Sequence, residues 1–242
     1  ATLNANSGSA AFNNTVNATT ANIAGADATF NNTLTATDLT LSGGSLALTA
    51  DNALAVTNSA LSGGSINLQT TGNSIETQNF GAATISGAVS AAIDADLANA
   101  TADNFVGSAN ATGSGTITIT NIATTGSSSY RHTYATVADS HLADKLATSV
   151  TSATGSDAET YTVSYDSATG KLHFVRADKA TLVTAVRDGD TATYALTTDE
   201  DVAAGIANYS NDNDNTTSIG ALHSDLTING NNKDILGGNK GG

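Results

Sequence analysis

A motif that returns at a fixed interval constrains this chain more than any other feature. Phe12-Asn13-Asn14-Thr15 recurs as Phe30-Asn31-Asn32-Thr33, eighteen residues on. Ile23-Ala24-Gly25 stands the same distance before Leu41-Ser42-Gly43. Ser42-Gly43-Gly44-Ser45-Leu46-Ala47-Leu48 then returns as Ser62-Gly63-Gly64-Ser65-Ile66-Asn67-Leu68, twenty residues on. An interval of this size is about the length of one coil of a β-solenoid or of one hairpin unit. Within each unit, Leu39 and Leu41 flank Thr40, and Leu46 and Leu48 flank Ala47. Period-2 spacing puts each pair on one face of a strand. The Gly43-Gly44 and Gly63-Gly64 pairs allow corners at positive φ. Residues 1–80 are therefore expected to form a repetitive all-β domain with short strands and tight corners.

Composition limits what such a domain can be. Hydrophobic residues make up 39% of the 242 and aromatic residues only 5%, with no Trp, Met, Cys or Pro. Small alternating side chains can fill a thin core. The absence of Cys excludes a disulfide framework, a thiol nucleophile and a Cys-based metal site. Net charge is -14, and no Lys or Arg precedes Arg131. Such a surface repels phosphate, so neither nucleic acid nor anionic lipid is an expected partner. No apolar stretch reaches about 18 residues, so membrane insertion is not expected. No basic-then-apolar leader stands at Ala1, so any secretion signal is expected to be removed or to lie outside this chain.

Beyond residue 80 the pattern changes. Val89, Ile93 and Leu97 are spaced by four in the Ala-rich run from Gly87 to Asn99, which predicts a short amphipathic helix. Gly113-Ser114-Gly115 reads as a turn before the strand Thr116-Ile117-Thr118-Ile119-Thr120. Leu142, Leu146 and Val150 predict a second helix, with Asp139 or Ser140 as N-cap. Tyr161 to Tyr165 and Lys171 to Val175 read as two strands joined by a hairpin turn at Asp166-Ser167-Ala168-Thr169-Gly170. Residues 81–198 are thus expected to hold two small α+β units, each helix-strand-turn-strand. Residues 199–242 read as a polar loop around Asn211 to Asn215, a strand over Asp225 to Gly230, and a Gly-rich tail. The expected fold is mainly β with small α+β units.

These units resemble the repeated motif in the variable outer domains of bacterial flagellins and flagellar hook-associated proteins. Leu226-Thr227-Ile228-Asn229-Gly230 is similar to the family's strand, Val89 to Asn99 to its Ala-rich helix, and Thr112 to Thr120 and Ser167 to Phe174 to its hairpins. The lack of Cys and Trp suits the same family. The strand-like piece at Leu226 follows both units, whereas the family order puts it first. The long helical ends of flagellins have no counterpart here. The resemblance implies a secreted, non-catalytic outer domain on a bacterial surface filament, with other copies or filament subunits as partners. Residues 27–76 resemble instead the repeats of filamentous-haemagglutinin-type adhesins. That implies a β-helical adhesin or surface-layer segment in contact with host or cell-surface glycans.

No constellation that carries chemistry stands out, and no catalytic residue, metal ligand or cofactor is assigned. His132, His141, His173 and His223 are the only histidines, without HxH or HExxH spacing. Asp139 and His141 could enter a triad with a serine, but no GxSxG elbow accompanies them. Asp212 and Asp214 suggest a calcium loop, yet Thr217 and His223 stand where that loop needs Gly and Glu. Gly230 to Gly238 is only faintly like a calcium-binding nonapeptide turn. Tyr130, Arg131, His132 and Tyr134 form either a contact patch or a strand edge. Glycosylation sequons occur at Asn13, Asn17, Asn31, Asn99, Asn110, Asn208 and Asn215. O-linked sugars on exposed Ser and Thr are implied by the flagellin resemblance.

Overall fold

The computed structural model describes residues 1–70, 72–128 and 131–176, with the short pieces 193–195, 200–201, 227–229, 233 and 235–236. Through about residue 148 the chain winds as a parallel β-solenoid with three faces. The first face carries β3 (Val16–Asn17), the start of β6 (Leu34–Leu48), the start of β7 (Leu54–Asn67), β8 (Thr77–Asn79) and β12 (Asn104–Val106). The second carries β1 (Thr2–Ala5), β4 (Thr20–Ile23), the middles of β6 and β7, β9 (Ala82–Ile85) and β13 (Ala109–Thr112). The third carries β2 (Ser9–Phe12), β5 (Asp27–Phe30), the ends of β6 and β7, β10 (Ala88–Asp96), β14 (Thr116–Thr125) and β16 (Leu146–Thr148).

Every pairing between coils is parallel, and the register explains the sequence repeat. Thr20 pairs with Thr2 and with Asp38, one motif interval away on either side. Leu46 pairs with Ala28 and with Ile66. The interval read from the residues is therefore a coil, and the hairpin alternative does not apply to β1–β7.

Alternation delivers one row of side chains from each face to the axis. Ile23, Leu41, Leu61 and Ile85 stack along the second face, and Phe30 and Leu48 along the third, all 0% exposed. Phe12 stacks on Phe30 with ring centroids 4.7 Å apart, and Phe80 on Phe105 at 5.5 Å. Each buried Leu, Ile or Phe contributes roughly 1.5–3 kcal/mol relative to exposure. Alanines at 21, 28, 83 and 91 fill the narrower places.

The corner between the second and third faces is kept tight by glycine. Gly44 and Gly64 have φ of 70° and 87°. A Cβ on Gly64 would lie 2.8 Å from Gly44 O, in the coil before it. Only a residue without a side chain lets two coils pass so closely. With single-residue additions elsewhere, most growth in coil length instead occurs between the third and first faces. There Leu68 to Thr77 and Asp96 to Asn104 are long connections, and the second contains β11 (Thr101–Ala102), antiparallel to β10. A four-stranded antiparallel sheet, whose first strand precedes β16 in the chain, runs in the order β15 (His132–Thr136), β19 (Lys171–Arg176), β18 (Thr160–Asp166), β17 (Ser152–Thr154). It abuts the solenoid, where Phe105 N donates to Val137 O at 2.9 Å.

The two expected helix-strand-turn-strand units are corrected: no α-helix occurs among the described residues. The run from Gly87 to Asn99 is mostly β10. Val89, Ile93 and Leu97 do share a face, but Ala91 and Ala95 lie on it too, each at most 1% exposed. Spacing by four is twice spacing by two, and inward alanine hid the strand period. The second expected helix is a single 3-10 turn, Ala143–Lys145, followed directly by β16. Asp139 does cap locally, with Oδ1 accepting His141 N at 3.1 Å and Leu142 N at 3.2 Å, but it caps a turn. Gly113 to Gly115 joins β13 to β14 on neighbouring faces, so no hairpin forms there. The hairpin at Gly170 is present, with β18 antiparallel to β19 and Gly170 at φ 69°. Near the end, β22 (Thr227–Asn229) pairs with β20 (Thr193–Ala195), and β21 (Glu200–Asp201) with β23 (Ile235–Leu236).

Candidate functional site: a buried carboxyl cluster

Seven acidic residues precede Arg131, and four of them, Asp51, Asp94, Asp103 and Glu76, converge on the corner between the third and first faces. The register of β8 with β12 brings Glu76 and Asp103 to the leading edge of the first face in consecutive coils. Asn104 N donates to Glu76 O at 2.8 Å, continuing that ladder by one rung. By alternation along β10, Asp94 belongs to the outer surface. The connection after Leu68 covers it, and Thr70 N donates to its Oδ2 at 2.9 Å.

Asp94 and Asp103 are 0% exposed and Glu76 is 3% exposed. Asp103 ties two segments together: its Oδ1 accepts Glu76 N at 2.8 Å and its Oδ2 accepts Asp94 N at 2.7 Å. Asp51 Oδ1 accepts Thr77 N at 2.8 Å, beside Glu76. Glu76 Oε2 and Asp94 Oδ1 are sealed from solvent and accept no hydrogen bond. Burial pushes the Glu76 carboxyl up to about 7, with Asp94 and Asp51 adding to the rise and Gln78 opposing it. Burial likewise lifts Asp103 to about 7, although the N–H groups of Asp94 and Glu76 favour its charged form. Asp94 is raised by burial, against its hydrogen bonds from Thr70. Sealed carboxyls of this kind can hold and release protons. They cannot reach a substrate, so paired-carboxylate hydrolysis is not available to them. Among the described residues no group of three or more His, Asp or Glu side chains is arranged to hold a metal ion.

The residues singled out by sequence fall elsewhere. Asp139 Oδ2 lies 2.9 Å from His141 Nδ1 and accepts Gly107 N at 3.1 Å. This is an aspartate–histidine pair, and among the described residues no serine hydroxyl joins it. His132 Nδ1 lies 2.8 Å from His173 Nε2, and Tyr134 stacks on His173 at 4.3 Å, so the structure brings these two histidines together. Arg131 and His132 are 6% and 7% exposed, so this cluster packs inward at a strand edge. Asp212, Asp214, His223, Tyr130, Asn208 and Asn215 lie outside the described residues, as does most of Gly230 to Gly238.

Several sequons have structural partners. Asn31 Nδ2 donates to Asn13 Oδ1 at 2.7 Å, and Thr49 Oγ1 donates to Asn31 Oδ1 at 2.9 Å, forming a side-chain ladder across three coils. Asn99 Nδ2 donates to Asp96 Oδ2 at 2.6 Å. Asn17 and Asn110 are exposed.

The carboxyl cluster escaped sequence reading because Asp51, Glu76 and Asp103 are 25 and 27 residues apart, longer than the motif interval, and Asp94 joins them from a different face. Their convergence follows only once the lengthened coils are known. A shallow groove of about 470 Å³ between β16 and β18, lined by Leu146, Thr148, Val150, Val163 and Tyr165, has no ionisable group but the Tyr165 phenol. Compared with known protein families, curated proteins and solved structures, this chain finds no match.

Proposed function

We propose that the chain is a structural, non-catalytic module of a secreted bacterial surface protein, of the β-helical adhesin or surface-layer kind. One observation carries this reading: coils stack in parallel register from Thr2 to Thr148, so the molecule extends by repetition. The absence of Lys and Arg before Arg131 supports it, because the solenoid then neither binds nor requires a polyanion. Its outer rows of Asn, Thr and Ser suit contact with hydrated glycans through hydrogen bonds. An outer domain of a flagellin-like filament is the second reading, favoured by the β18–β19 hairpin with Gly170 at its turn.

Antibody labelling and protease shaving of intact source cells test the location. Recovery of the chain only from the cytosol refutes it. A glycan array separates the two readings, since an adhesin retains a defined set of sugars and a filament decoration retains none. Release of reducing ends from any glycan overturns the non-catalytic part.

A further inference from the structure

The carboxyl cluster poses a problem that the rest of the solenoid does not. Three carboxyl groups are buried together, and among the described residues no Lys, Arg or His forms an ion pair with any of them. Asp51, on the turn after β6, adds a further negative charge. Asp103 spends both oxygens on backbone N–H groups, Asp94 spends Oδ2 on Thr70, and one oxygen each on Glu76 and Asp94 is left without a donor. Those two oxygens are sealed from water, so neither solvent nor a dissolved ion satisfies them in place. A carboxyl proton is the one donor the cluster itself can supply. It also removes a buried charge that is costly to strip of water.

We propose that Glu76, Asp94 and Asp103 form a proton-held stitch between consecutive coils. Protonated, the stitch fastens the corner between the third and first faces. On losing its protons it loosens that corner and leaves the remaining coils paired. The group acts as a unit, so its protons leave in steps that belong to the cluster and not to one residue. The raised affinities of Glu76 and Asp103 for protons place the change near neutral pH.

The chain has three glutamates, Glu76, Glu159 and Glu200, so selective carbon-13 labelling of glutamate carboxyls gives three resonances. One resonance titrating near neutrality, and missing from Glu76→Gln, is the expected result. All three titrating in the ordinary glutamate range, near 4.3, overturns the proposal. In parallel, hydrogen exchange corrected for intrinsic rate compares about pH 5.5 with about pH 8.5, and a loss of protection of about tenfold or more is expected across residues 76–79 and 94–104. Residues 20–48 serve as the internal reference and keep their protection. Equal protection at both pH values, or equal loss in the reference, refutes the local stitch. Glu76→Gln reduces the pH dependence, the remainder belonging to Asp103 and Asp94. If that variant fails to fold, the wild-type titration and exchange decide alone.

Discussion

Gly44→Ala separates two reasons for a glycine and gives the most direct test of how the coils approach. Gly44 sits at φ 70° where β6 turns from the second face to the third. The added methyl meets Ala26 O and stands 2.7 Å from Ala26 N and 2.8 Å from Gly25 C, all backbone atoms of the preceding coil. Gly8 has nearly the same φ, 75°, but nothing lies within 4 Å of its would-be Cβ. Gly8→Ala therefore pays only the left-handed conformation, about 1–2 kcal/mol. Gly44→Ala pays that and the displacement of a coil, a further roughly 1–3 kcal/mol by analogy with overpacked cores. Urea unfolding followed by circular dichroism should show Gly44→Ala losing about 3–4 kcal/mol and Gly8→Ala less than half of that. The melting temperature should fall by about 2–4 °C for each kcal/mol in a chain of this length. Equal losses for the two variants would refute the close approach of coils at this corner.

Other substitutions probe the core, the buried arginine and the carboxyl cluster. Phe80→Ala removes a fully buried ring stacked on Phe105 and should cost about 3–5 kcal/mol in the same unfolding measurement. Arg176 is 4% exposed, donates to Ser128 O and to Tyr161 Oη, and pairs with Asp157 at 2.9 Å. Arg176→Met should destabilise by about 3–5 kcal/mol, and Arg176→Lys should recover only part, because an ammonium does not replace the planar guanidinium that lies over the Tyr161 ring, 5.4 Å from its centroid. For Glu76, whose folded-state affinity for protons is raised, stability is fully present below its ordinary value of 4.5 and is lost as pH rises through about 7. The wild-type melting temperature should therefore drop between about pH 5 and pH 8.5, and Glu76→Gln should drop less. Identical slopes for the two would count against it.

The residues made some of this fold plain and hid the rest for physical reasons. Coils 18–20 residues long were legible because Gly43-Gly44 and Gly63-Gly64 punctuate them at constant spacing. The Gly170 hairpin was legible because its strands pair locally in sequence. β10 was not, because alanine tolerates helix and strand alike and only Val89, Ile93 and Leu97 spoke clearly. The Asp94–Asp103 contact was invisible because a residue on the outer parity of a strand is ordinarily solvated. Only the covering connection after Leu68 buries it.

Most lengthening of coils falls at one of the three corners, the other places gaining single residues, and that has a consequence for how the molecule can change. Segments added between Asp96 and Thr101 would hang off the edge of the rod, while the spacing of its rungs stayed as it is. The same residues added beside Gly64 would have to pass through the backbone of the neighbouring turn. One edge can thus be rewritten, by inserted epitopes or binding peptides, while the other two preserve the pitch of the winding.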